Sequence, residues 1–186
     1  MRSLIKKRVP VSEVRRFLEP GPIVLVSSAW KGATNIMTMG WHMILGEEPA
    51  LVGCYIWSEN HSFEMIRKSK ACVINVPGVA LAPAVVQIGN SSGRDIDKFA
   101  AFGLTPVAAA KVHAPLIKEC HANFECRLVD SSLIGTYSLF VFEVVHARAA
   151  ATPKFPTTIH YRGDGEFMIA GPTVRRYRRS FKPQNL

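Results

Sequence analysis

The chain has 186 residues, 48% hydrophobic and 20% charged, with mean hydropathy +0.11 and a formal net charge of +9 at pH 7; this is enough length and apolar content for one packed domain, and excludes a disordered chain. No apolar run approaches the roughly 20 residues of a membrane span, and MRSLIKKRVPVSEVRR has no continuous hydrophobic centre, so the expectation is a single cytoplasmic domain over 1–186 with no membrane insertion. Of the 23 cations, 11 lie in basic extensions at about 1–19 and 172–186, while 12 basic and 12 acidic residues balance between Lys31 and Glu166, which argues against a nucleic-acid groove across the body.

In chain order, PGPIVLVSSAW opens with turn residues and predicts a strand over about 23–28. Lys31-Gly32 makes a hairpin turn. Its second strand runs through KGATNIMTMGWHMIL, in which Asn35, Met37, Met39 and Trp41 alternate with Ile36, Thr38, Gly40 and His42. PALVGCYIWS is a third strand, Ser58 to Ser62 supplies caps for a short helix over FEMIRKS, and ACVINVP is a fourth strand. VALAPAVVQIG, rich in alanine and with Pro83 near its first turn, predicts a helix.

Residues 89–103, GNSSGRDIDKFAAFG, begin as a polar loop bounded by glycines. The run then becomes an amphipathic helix with Ile96, Phe99, Ala100 and Phe102 on its inner side, closed by Gly103. The first turn of a helix leaves N–H groups unpaired and carries the positive end of the dipole, so this loop is read as the receiver of an anion, a phosphate, although no Walker motif is present. HANFECRLVDSSLIGTYSLFVFEVVHARA predicts a long antiparallel hairpin turning near Asp130 to Gly135, and GEFMIAG the last strand. Six or seven strands joined by hairpins, with short helices, predict a mainly β (α+β) fold, an antiparallel barrel with short helical insertions. Cys54, Cys72, Cys120 and Cys126 form no CxxC pair and read as buried thiols; the spacing of Cys120, His121 and Cys126 matches no zinc pattern, so no metal is expected.

SGRDIDKF followed by GLTP, and AP followed by ANFECRL, stand in order among PGPIVLVSS, TNIMTMGW, PALVGCYI, SFEMIRKSKACVINVP, GTYSLFVFEVV and HYRGDGEFMIAG. That series resembles the flavin reductase-like family, flavoredoxins included, over roughly Pro20 to Gly171. The resemblance implies an antiparallel Greek-key split β-barrel of the FMN-binding type. It also implies FMN as cofactor, NADH or NADPH as transient reductant, and a homodimer with the flavin near the subunit interface. Two positions depart from the family's pattern: Ile88-Gly89 stands where relatives often carry Cys-Gly, and Ser62 where threonine is common. The implied activity is an NAD(P)H-dependent, flavin reductase-like oxidoreductase that moves hydride to flavin and on to an acceptor protein or free flavin. The alternatives are a flavoredoxin-type electron carrier with tightly bound FMN and a non-enzymatic barrel that binds a protein or nucleic acid through its basic ends.

FMN presents a phosphate, a hydroxylated ribityl chain and a planar ring whose edge alternates donors and acceptors. Ser58, Asn60, His61 and Ser62 at the first helix and Ser91, Ser92, Gly93 and Arg94 at the second are expected to meet the phosphate. They would use two helix N-termini and one guanidinium, with no lysine clamp; Ser58 and Ser92 have a plainer role as helix caps. By analogy with the family, the strand carrying Asn35, Met37, Thr38 and Trp41 lines the ring, with Asn35 and Thr38 on opposite faces by parity. Asn35 alternatively satisfies neighbouring backbone, and Trp41 alternatively fills the core. Hydride transfer to flavin requires no side-chain acid or base, so no catalytic residue is assigned. Of the histidines, His160 lies in TIHYRGDG near the C-terminal strand, where the resemblance implies the substrate side.

Overall fold

The computed structural model describes residues 21–174 together with Arg176, Ser180 and Lys182; the N-terminal basic extension and most of the C-terminal one lie outside the described residues. Lys31 and Gly32 both take positive φ, 50° and 81°, the twist that folds one strand straight back on its neighbour. They join β1 (Val24–Trp30) to β2 (Ala33–Met39) with Trp30 opposite Ala33. Gly40 and Trp41 then form a corner into β3 (His42–Gly46), a strand that the sequence reading had merged with β2, and β4 (Leu51–Tyr55) follows.

Helix α1 (His61–Ser69) ends where Lys70 turns left-handed at φ 56°, and β5 (Ala71–Val76) returns. A single 3-10 turn at Val79–Leu81 leads into α2 (Ala82–Gly89), with Pro83 in its first turn as expected. The short α3 (Lys98–Ala101) precedes β6 (Pro106–Val107) and β7 (Leu116–Ile117). The long hairpin is β8 (Ala122–Asp130) and β9 (Leu139–Ala149), with one helical turn, α4 (Ile134–Tyr137), at its tip. A second hairpin, β10 (Ile159–Gly163) and β11 (Glu166–Ile169), closes the described fold; only its second strand was predicted.

The main sheet is antiparallel, in the order β2-β1-β5-β8-β9-β4-β3. Its two edge strands are consecutive in the chain, so the link at Gly40-Trp41 brings the edges together. Val26 of β1, Met37 of β2, Cys54 of β4, Ile74 of β5, Cys126 of β8 and Phe142 of β9 share one buried cluster. Strands from opposite ends of the order meet there because the sheet is rolled, giving the antiparallel barrel that the residues predict and the split form that the resemblance implies. A second cluster lies outside the sheet, where Leu25 and Ile36 meet Val85 and Ile88 of α2 and Phe99 of α3. β1 is therefore buried on both faces, and for that reason reads as a continuous apolar run instead of an alternating one. Among the described residues, no helix is long and apolar enough to cross a membrane.

Glu125 in β8 is fully buried, and its carboxylate accepts from the amides of Ala110 (2.9 Å) and Lys111. This ties down the loop that lays Ala114 and Leu116 over Val73. Burial pushes the carboxyl's pKa up, but those two amides, His146 and the Val112 amide together hold it below the ordinary glutamate value. Glu125→Gln is expected to cost about 1.5–3 kcal/mol in urea unfolding at pH 7, because a buried amide donor then faces an NH2 group. A lowered folded-state pKa stabilises above the unfolded value of about 4.3 and ceases to do so as pH falls through the folded one. Wild type and variant should therefore converge in acid; equal stability at pH 7 would show that the clamp contributes nothing.

Candidate functional site

As an edge strand, β2 has one row of main-chain N–H and C=O groups without a strand partner. Along it runs a slot of about 330 Å³ whose lining includes Met37, Thr38, Trp41, Tyr55 and Trp57. The corner beside it is fixed by the Tyr55 amide donating to the Trp41 carbonyl at 3.0 Å and by the His42 ring 2.7 Å from the Pro22 carbonyl. Trp41 stands 47% exposed with its ring centroid 5.0 Å from that of Tyr55, so it walls the slot and does not fill the core.

Met37 and Asn60 also line a smaller pocket of about 140 Å³, which the slot adjoins. Asn35, on the inner face of β2 with Met37 and Met39, is buried there, and its Nδ2 donates to Ser62 Oγ at 2.9 Å. Its Oδ1 is buried with no partner. A Cβ on Gly93 would fall 2.1 Å from that oxygen, so only glycine allows the loop to press onto Asn35. The Arg94 amide donates to Ser92 Oγ at 3.1 Å, the Arg94 guanidinium donates to the Glu59 carbonyl at 3.3 Å, and Ser91 Oγ donates to the Ile88 carbonyl at 3.3 Å.

Lys98 is the residue that the sequence reading missed. Its side chain lines the same pocket and is 5% exposed; Nζ donates to the Ile88 carbonyl at 2.9 Å, and among the described residues it has no carboxylate partner. Burial holds its pKa below the usual lysine value. His61, first residue of α1, is also held low, by burial and then by Arg94 and Lys98. Asn60 gives α1 no side-chain cap, so the positive end of that helix faces the pocket alongside three basic side chains. Glu59, the acidic residue in the lining, is exposed and contributes its carbonyl to Arg94.

Nine of the twelve expected site residues gather at this pocket: Asn35, Met37, Asn60, His61, Ser62, Ser91, Ser92, Gly93 and Arg94. Thr38 and Trp41 line the adjoining slot, and Thr38 spends its hydroxyl proton on the Val85 carbonyl at 2.7 Å. Ser58 joins neither and does not cap α1. The turn closed by the Asn60 amide on the Trp57 carbonyl leaves it exposed.

The second helix also differs from expectation. It begins only at Lys98, and Asp97 caps it by accepting from the Phe99 and Ala100 amides, so the glycine loop does not end at its N-terminus. Ser92 is correspondingly no cap, and Ile96 and Ala100 are exposed, leaving Phe99 and Phe102 on the inner side. The pocket thus has one helix N-terminus and a lysine where two helix N-termini and no lysine were anticipated. His160 Nε2 lies 2.9 Å from Thr158 Oγ1, and its neighbour Tyr161 reaches the cleft beyond Trp41 instead.

Residues 15–166 match the family model described as flavin reductase like domain. YddH, an uncharacterized protein of Escherichia coli, is 32% identical over 180 residues, covering 89% of this chain and 95% of its own length. An Archaeoglobus fulgidus protein is 37% identical over 112 residues; the match spans 60% of this chain and 63% of that protein. The FMN-binding domain of a flavin reductases-like enzyme from Shewanella baltica superposes with a TM-score of 0.76 at 26% identity, covering 90% of this chain and 95% of that one. With a family match across most of its length and a relative of that identity along nearly all of it, the chain belongs to the flavin reductase-like domain family.

Proposed function

We propose that this protein is an FMN-dependent oxidoreductase that takes hydride from NADH or NADPH and passes electrons to an acceptor protein or free flavin, working as a homodimer. The observation that carries the reading is the buried Lys98 ammonium, set with Arg94 and His61 around a small polar pocket that opens onto an aromatic-walled slot. FMN has that polarity: one dianionic end, one planar aromatic end. Lys98, Arg94, His61, Ser62, Ser91 and Ser92 would hold the phosphate, and Asn35 Oδ1, buried without a donor, would accept a ribityl hydroxyl. Met37, Thr38, Trp41 and the open edge of β2 would flank the ring.

Bound FMN supplies the hydride-accepting chemistry, and the chain supplies position and charge. The Arg94 guanidinium, steadied by the Glu59 carbonyl, and the Lys98 ammonium, aimed by the Ile88 carbonyl, fix one end of the ligand. Trp41 and Tyr55, in ring contact at 5.0 Å, would wall one side of the ring. The homodimer reading is supported by β3, an edge strand on which Met43, Ile44 and Leu45 are all exposed, continuous at its start with Trp41. An apolar stretch of that kind is the surface a second copy would cover.

Titration of apoprotein with FMN should give a yellow complex. Arg94→Ala and Lys98→Met should each weaken it by about 1.5–3 kcal/mol, while riboflavin, which lacks the phosphate, binds all of them alike. Lys98→Met apoprotein should unfold no more easily than wild type, since a buried unpaired charge is removed. Equal FMN affinity in both variants would take the phosphate out of this pocket.

His61 adds a pH dependence. In the free protein burial, and then Arg94 and Lys98, hold its pKa below the ordinary histidine value, and an arriving dianion favours the imidazolium and raises it. FMN binding therefore takes up a proton, and affinity should rise as pH falls from 8 to about 6.5, above the phosphate's own second pKa of about 6. Riboflavin should show no such slope, and His61→Gln should abolish it for FMN; a slope that persists in the variant would assign the proton elsewhere.

A further inference from the structure

Beyond Trp41 lies a cleft of about 620 Å³ with a different chemistry. Its walls are Val85 and Val86 of α2, Tyr161 and Phe167 of the β10–β11 hairpin, and Thr38 and Trp41 at the end of β2. Tyr161 and Phe167 lie 5.0 Å apart between ring centroids, making one aromatic wall that faces the helix. No charged side chain is among the described residues that line it.

Its polar side chains are mostly engaged within the protein. Thr38 Oγ1 donates to the Val85 carbonyl at 2.7 Å, Asn90 Nδ2 donates to the Val86 carbonyl at 2.8 Å, and the Tyr161 hydroxyl accepts from the Gly165 amide at 3.1 Å. Most of what faces the cleft is apolar and aromatic surface. A dinucleotide would bring its diphosphate into a place where the described residues offer no cation, whereas the 140 Å³ pocket has three basic side chains. A neutral planar ring loses far less by desolvation here than a diphosphate would and gains stacking and dispersion.

We propose that this cleft binds a neutral, planar aromatic molecule of about two fused rings, of the quinone class. Binding follows from the cleft alone; the further role as electron acceptor rests on the FMN reading, because Thr38, Gly40 and Trp41 line both the cleft and the ring slot. With NADH as donor, the net change would be quinone, NADH and a proton to hydroquinone and NAD+.

The test is equilibrium dialysis of the FMN-loaded protein against 2,3-dimethyl-1,4-naphthoquinone, without reductant; its blocked ring positions prevent thiol alkylation. Saturable binding is expected, weakened at least tenfold by Val86→Lys and by Phe167→Ser. Both side chains are partly exposed, so melting temperatures and FMN affinity should stay near wild type. The proposal is overturned by absent or unsaturable binding, by binding indifferent to both variants, by NADH displacing the quinone, or by the two variants dissociating a dimer, which would make a second copy the occupant. If FMN binds and the quinone does not, only this inference falls. If the quinone binds apoprotein in the cleft and FMN fails to bind, the FMN reading falls and the cleft site stands.

Discussion

An ammonium group withdrawn from water without a counter-charge costs a protein several kcal/mol. Lys98 bears part of that cost, nearly buried and held among the described residues by the Ile88 carbonyl at the end of α2. The surrounding architecture keeps it there. Asp97 caps α3 so that Lys98 is its first residue, Gly93 lets the preceding loop lie against Asn35, and α1 begins across the gap with His61 and Ser62. Three basic side chains and a helix N-terminus share that space, and the His61 pKa is held low first by burial and then by Arg94 and Lys98. An anion drawn into that space would relieve all of them at once.

The rolled sheet determines what lies next to this charge. Because β2 and β3 are consecutive and both are edges, the barrel is split beside Trp41, and the split leaves backbone groups and aromatic side chains facing outward next to a polar pocket. Charge is confined to one end of β2 and apolar surface to the other, with Met37 and Thr38 between. A ligand that is dianionic at one end and aromatic at the other fits that gradient, and the cleft past Trp41 continues its apolar end. Thr38 anchors α2 through Val85, so one hydroxyl fixes the helix that forms the cleft's far wall.

Much of this was legible in local sequence. Lys31-Gly32 announced a hairpin because its glycine takes a positive φ freely, and Ser91 to Arg94 read as an anion-receiving loop, which the structure sets in one pocket with His61 and Lys98. What stayed hidden depended on distant partners. Trp41 looked like an alternating strand residue, but its exposure follows from the corner that joins the two sheet edges. Lys98 carried no signal of its own within an amphipathic run; its burial accompanies the meeting of its ammonium with the Ile88 carbonyl at the end of α2. Asp97 competed with the serines for the role of cap and won, because its carboxylate reaches two amides of the next turn. β3 was absorbed into its neighbour because Met43, Ile44 and Leu45 carry no polar alternation to mark a strand exposed on both faces.

The most direct test of the central claim is a crystal structure of the protein grown with FMN. The account predicts the phosphate within hydrogen-bonding distance of Lys98 Nζ and the Arg94 guanidinium, with Asn35 Oδ1 accepting from the ribityl chain and the ring lying along the open edge of β2. A phosphate in solvent, with Lys98 still bonded only to the Ile88 carbonyl, would contradict it.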